Sequence, residues 1–113
     1  MAHDTPQVRD GVLTLKQTDG GGAAIPVESS DWWHWLDEPQ TTIFRFFSRQ
    51  GSFTARRERK SGGQYWYAYR RHQGKLHKAY LGKSEELYLA RLDTTAVLLL
   101  KQFEHHTNRF NHN

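Results

Sequence analysis

The sequence predicts an α+β domain: a three- to four-stranded antiparallel sheet packed on a C-terminal helix, with an N-terminal hairpin and a short tryptophan-rich helix. Three observations predict it. Residues 51–82 alternate apolar and polar side chains with a period of two, interrupted by Ser61-Gly62-Gly63 and by Gln73-Gly74. Beyond Gly82 the apolar spacing becomes helical, with Leu89, Leu92, Ala96, Leu99 and Phe103 in one stripe and Leu100 beside it. A chain of 113 residues supports one modest core.

Composition sets outer bounds. Lys and Arg number 16 against 12 acidic residues, a net charge of +4, which permits a polyanionic partner. The absence of cysteine excludes disulfides, thiolate metal sites and thiol catalysis, and a cytoplasmic setting fits it. No apolar run approaches the ~18 residues of a membrane span. The polar start, with Asp4 early, does not read as a signal peptide.

In chain order, residues 1–10 contain Pro6, show no periodicity and read as a flexible arm; His3 there reads as a solvated side chain. Residues 11–104 read as a single domain with a core unit at 51–103. Gly11 to Gln17 alternates as a strand, Asp19 to Gly22 is a turn, and Ala23 to Val27 returns as a second strand whose Pro26 suits an edge. A phosphate-binding reading of these glycines lacks the helix that it needs next in sequence. Ser29-Ser30-Asp31 caps a short helix through Leu36, in which Trp32, Trp35 and Leu36 share a face; Pro39 ends it. Residues 41–50 form a strand with Thr42, Phe44 and Phe46 on one side and Ile43, Arg45 and Phe47 on the other. Ser84 caps the last helix, running from about Glu85 to Phe103, with Leu87 and Leu98 on its far side, where the tryptophan layer or a second subunit would cover them. Residues 105–113 read as a flexible tail. His105, His106 and His112 in that tail do not make a metal site, because adjacent histidines point apart.

The central hairpin carries the functional argument. Gln73-Gly74 is a two-residue loop in which glycine supplies positive φ. It sets Tyr69 opposite Lys78, Tyr67 opposite Tyr80, Ala68 opposite Ala79 and Trp66 opposite Leu81. One face then holds Phe53, Ala55, Trp66, Ala68, Ala79 and Leu81, apolar and small enough at its alanines for a helix to approach. The other holds Thr54, Arg56, Glu58, Tyr65, Tyr67, Tyr69, Arg71, Lys78 and Tyr80. A slip of one residue would exchange the faces.

That second face suits nucleic acid. Two- and three-stranded ribbons enter the major groove of B-DNA. Arginine donates in a fork to guanine, worth roughly 1–3 kcal/mol of discrimination per good pair, and Glu58 could accept from cytosine N4. Lysine and tyrosine hold phosphates and fix register. The expected function is binding of double-stranded DNA, without catalysis, cofactor or metal. The partner is duplex DNA and the location is the cytoplasm, nucleoid-associated when bound. Single-stranded nucleic acid stacked on the tyrosines, or a protein-interaction and dimerisation module, are the alternatives.

These residues also resemble known families. A three-stranded sheet followed by a helix resembles the plant ethylene-response-factor domain and the arm-binding N-terminal domains of tyrosine recombinases. Tyr80-Leu81-Gly82 is similar to the Trp-Leu-Gly step of the plant domain, whose aromatic faces DNA, and the resemblance implies Tyr80 on the DNA side. The wording of WWHWL, GSFTARRERK, GQYWYAYRR and KAYLGKSEELYLARL is similar to the N-terminal segment of MalT-like LuxR-type bacterial regulators, over roughly Trp32 to Leu92. That resemblance implies a transcription-regulator module, free-standing or part of a larger regulator chain; the ATPase and helix-turn-helix parts of such regulators do not follow it here.

Overall fold

The computed structural model describes residues 5–16 and 22–111, without the side chains of residue 16 and of residues 104–111. The strands are β1 (Gln7–Arg9), β2 (Val12–Lys16), β3 (Gly22–Pro26), β4 (Ile43–Ser48), β5 (Gly51–Lys60), β6 (Gly63–His72) and β7 (Lys75–Gly82). The helices are α1 (Ser30–Asp37) and α2 (Leu89–Asn111), with a 3-10 turn at Ser84–Glu86. All strands join in one seven-stranded mixed sheet of order β3-β2-β1-β4-β5-β6-β7.

This corrects the expected α+β architecture, a three- to four-stranded antiparallel sheet packed on a C-terminal helix with a separate hairpin: the described chain is mostly one wide mixed sheet, with two helices. The expected arm contains a strand: β1 pairs antiparallel with β2 and parallel with β4, setting Val8 beside both Leu13 and Phe46. Val8 is fully buried, and the Arg45 amide donates to the Pro6 carbonyl at 2.8 Å. Three residues carry too short a pattern to reveal period two, but they bring one apolar side chain and a ladder that stitches the N-terminal hairpin to the main sheet. The β2–β3 hairpin forms, with Pro26 on the edge strand. Its turn at residues 17–21, like His3, lies outside the described residues.

The Gln73-Gly74 loop forms with φ of 51° and 79°, the positive pair that a type I′ turn requires. The register it fixes is Tyr69↔Lys78, Ala68↔Ala79 and Tyr67↔Tyr80, as the sequence predicts. Trp66 does not face Leu81. A bulge between Trp66 and Tyr67 pairs Trp66 with Gly82, so both Leu81 and Gly82 turn inward and are buried. Gly82 has φ +128°, and a Cβ there would stand 2.7 Å from Glu86 Oε1. The Glu86 carboxylate accepts the Lys83 amide at 2.8 Å, which tightens the turn leaving the sheet.

Both helices lie on one face of the sheet, where Val8, Leu13, Phe44, Phe46, Phe53, Ala55, Trp66, Ala68 and Leu81 are buried with Trp32, Leu36, Leu87, Leu92, Ala96, Leu99 and Phe103. Ser29 caps α1 by accepting the Trp32 amide. Two tryptophans sink into the core with their polar ends satisfied. Trp32 Nε1 donates to the Leu87 carbonyl at 3.1 Å, and Trp66 Nε1 to Ser84 Oγ at 2.9 Å. The predicted stripe of α2 is buried or half-buried throughout, but the helix limits differ. Residues 84–86 coil as a 3-10 turn, and α2 starts at Leu89, whose amide donates to Glu28 Oε2 at 2.8 Å. The cap of the last helix thus comes from Glu28, just ahead of the Ser29 cap of α1, not from Ser84. Leu87, placed on the far side of the helix by its spacing, precedes the helix and is buried beneath Trp32. The expected tail is helical to Asn111. The side chains of His105, His106 and His112 lie outside the described residues.

Gly82→Ala is expected to destabilise the fold by about 1–3 kcal/mol, because the backbone is left-handed and the methyl meets Glu86. Urea unfolding checks this, and a variant as stable as the native protein would refute the strained bulge.

Candidate nucleic-acid interface

Alternation along the strands leaves the second face of the sheet without a helix. In cross-strand rows it presents Ile43–Arg56–Tyr67–Tyr80, then Gln7–Arg45–Thr54–Tyr69–Lys78, then Arg9–Phe47–Ser52, with Glu58–Tyr65 beyond. All nine residues that the sequence assigned to this face occupy it. Arg71 stands at its far end, paired with Leu76, and donates to the Gly74 carbonyl at 3.3 Å.

The sequence missed part of the same surface. The parallel pairing of β1 with β4 adds Arg9 and Arg45, whose guanidinium groups lie 3.8 and 5.1 Å from the centre of the Phe47 ring. Such cation–π contacts shelter an aromatic ring that no helix covers. The alternation of residues 41–50 already put Arg45 opposite the core side; only the sheet order shows which neighbours it joins. Lys60 extends the face at the end of β5. Among the described strand residues on this face, Glu58 is the sole acid, beside Arg9, Arg45, Arg56, Lys60, Arg71 and Lys78.

Glu58 organises its neighbourhood. The Tyr69 hydroxyl donates to Oε2. Lys60 and Lys78 approach Oε1 at 3.2 and 3.3 Å. The Tyr69 bond holds the Glu58 carboxyl below its ordinary 4.5 against the opposing effect of burial, with the two lysines adding to the pull. The Lys78 ammonium is in turn held above its ordinary value, by Tyr69 first and then, outweighing desolvation, by Glu58. Lys78 also lies 4.3 Å from the centre of the Tyr67 ring. Tyr80 packs against Tyr67 and Tyr65, with ring centres 5.5 and 6.3 Å apart. Burial against these rings, and then Glu86, push its hydroxyl up. Arg56, by contrast, is exposed and has no hydrogen bond or ion pair among the described residues.

Residues 33–89 match the family described as a domain of unknown function, DUF6788. The chain belongs to the DUF6788 family. No curated protein and no solved structure matches it. The DUF6788 span runs from within α1 through β4, β5, β6 and β7 to the first residue of α2, so it holds Arg45, Arg56, Glu58 and the whole tyrosine cluster. Arg9 and the N-terminal hairpin lie outside it.

Because its folded-state pKa is depressed, Glu58 stabilises the DUF6788 fold above its ordinary value of 4.5, and that contribution is lost as pH falls through the lower folded value. Urea unfolding from about pH 6 to about pH 2 is expected to show a smaller acid-induced loss for Glu58→Gln than for the native chain. Parallel loss in both would remove Glu58 from this role.

Proposed function

We propose that the protein is a non-catalytic binder of double-stranded DNA that uses the open face of its sheet, acting in the cytoplasm on the nucleoid. The observation that carries this reading is the one-sided placement of both helices. It leaves a sheet face bearing six strand cations and a single carboxylate, Glu58, among the described residues. A surface of this kind attracts phosphates through charge and can read bases through arginine.

The width of the sheet limits how it docks. Seven strands at about 4.8 Å spacing span roughly 29 Å, whereas the major groove is about 12 Å wide. The whole face cannot enter. The β5–β6 ribbon can, because its Glu58–Tyr65 end has no strand on either flank: β4 stops opposite Arg56 and β7 opposite Trp66. In this pose Arg56 stands at the base of the ribbon, toward base edges. Arg45 and Arg9 meet the phosphate backbone to one side. Glu58, already bonded to Tyr69 and two lysines, aligns those groups rather than reading cytosine. The resemblance to transcription regulators makes a regulatory module the natural setting.

A single strand laid across the face is the second reading, favoured by Tyr80, which is 48% exposed. Tyr67 suits it less, since Lys78 covers its ring. Anisotropy titrations separate the two. Duplex should compete better than single strand, and affinity should fall steeply with salt. Arg56→Ala is expected to weaken binding and relax sequence preference, by about 1–3 kcal/mol at the base it contacts. Arg45→Ala should lower the salt slope by about one and leave preference unchanged. Preferential binding of single strands, with Tyr80→Ala the most damaging change, would favour the second reading; no salt-dependent binding of either form would end both.

A further inference from the structure

We propose that the free edge of β7 is a homodimer interface, where β7 pairs antiparallel with β7 of a second copy about a two-fold axis at Lys78. The two ends of the sheet differ. At one end β3 has five residues and finishes at Pro26, which has no amide hydrogen to offer a further strand. At the other, β7 has eight residues and no proline. The closing pair of a two-residue hairpin, here His72↔Lys75, exchanges both hydrogen bonds, and bonded pairs recur at Arg70↔His77 and Ala68↔Ala79. Leu76, Lys78 and Tyr80 therefore turn their amides and carbonyls to the open edge, where no described group meets them.

The side chains around this edge favour a second copy over water. The large apolar side chains exposed among the described residues are Leu76, Tyr80, Tyr88 and Leu98, each between 48% and 52% accessible. Leu76 and Tyr80 belong to β7 itself. Tyr80, Tyr88 and Leu98 line a groove of about 540 Å³ between β7 and α2, floored by Ala90, Thr94 and Thr95. A strand added to β7 would lie along this groove.

The sequence of β7 is complementary to itself in one register. Leu76 and Tyr80 stand symmetrically about Lys78, so Lys78 opposite its own copy puts each Leu76 against the partner's Tyr80. That register aligns all three edge-facing residues of each strand for bonded pairs. The two lysines at the axis do not oppose it, because each ammonium leans back across β6 to Glu58 at 3.3 Å and over the Tyr67 ring. The two open faces would join into one continuous surface. The inference stands on the edge geometry and does not require the nucleic-acid reading.

Sedimentation equilibrium of the full chain without nucleic acid tests it. A concentration-dependent dimer is expected. Leu76→Pro removes an edge-facing amide twice by symmetry while sparing the bonded β6–β7 pairs, and should raise the dimer Kd about tenfold or more. Leu98→Asp, at an exposed helix position, should also weaken the dimer with its circular dichroism unchanged. In this cysteine-free chain, Lys78→Cys should be joined by a short bismaleimide much faster than Ala24→Cys at the β3 edge. A monomer at all concentrations overturns the proposal. So does a dimer that Leu98→Asp leaves intact, or one in which Ala24→Cys links as fast as Lys78→Cys. If Leu76→Pro fails to fold, Leu98→Asp and the cross-linking pair decide the matter.

Discussion

A side chain on a β-strand has two faces to choose from, and in the main hairpin of this sheet the Gln73-Gly74 turn makes the choice. Its positive φ values set the register of β6 on β7, and each neighbouring strand then inherits a parity through the ladder. Trp66 and Ala68 go beneath the helices, while the tyrosines and Lys78 go to the open side. Shifting the register by one residue would bury charged and phenolic groups without partners and expose the tryptophan. The cost of such burial excludes the slipped register.

The helices are held to the inner face by more than apolar packing. Arg57 projects toward them from β5, a position where alternation leads one to expect an apolar residue. Its guanidinium donates to the Leu36 and Glu38 carbonyls at 2.6 and 2.7 Å, at the C-terminal end of α1, and it lies 5.6 Å from the centre of the Trp66 ring. Trp32 reaches the Leu87 carbonyl, and Glu28 reaches the first amide of α2. Each of these bonds joins segments far apart in sequence, and the Trp32–Leu87 bond satisfies a buried indole N–H that would otherwise be costly to bury. They also explain why the turn before α2 is 3-10 rather than α-helical: Leu87 is held under Trp32 and cannot continue the helix outward.

The open face is ordered as well as basic. Glu58 gathers Tyr69, Lys60 and Lys78, and lysines lie over Tyr67. Two guanidinium groups, of Arg9 and Arg45, lie against Phe47. Such contacts restrict the conformational freedom of long cationic side chains. Arg56 is left as the cation at the centre without a partner among the described residues, whereas its neighbours are held by ring or carboxylate contacts.

Local pattern was enough for the β6–β7 hairpin, the nine outer-face residues of β5, β6 and β7, α1 with its Ser29 cap, and the buried stripe of α2. Period-two and period-3.6 spacing, turn glycines and capping residues all act within a few positions of one another. The bulge that replaces the Trp66–Leu81 pair escaped that reading, because it answers to the turn that Glu86 and Ser84 make on leaving the sheet. The parallel seam between β1 and β4 escaped it too. Three residues of strand carry almost no signal of their own, and their pairing is stabilised by Phe46 and Leu13, which lie elsewhere in the chain. The sequence by itself determined which side chains face together within the hairpin. Tertiary structure decided that seven strands share one sheet and that Arg9 and Arg45 stand beside Phe47, because those pairings are long-range and gain their energy only once the core has formed.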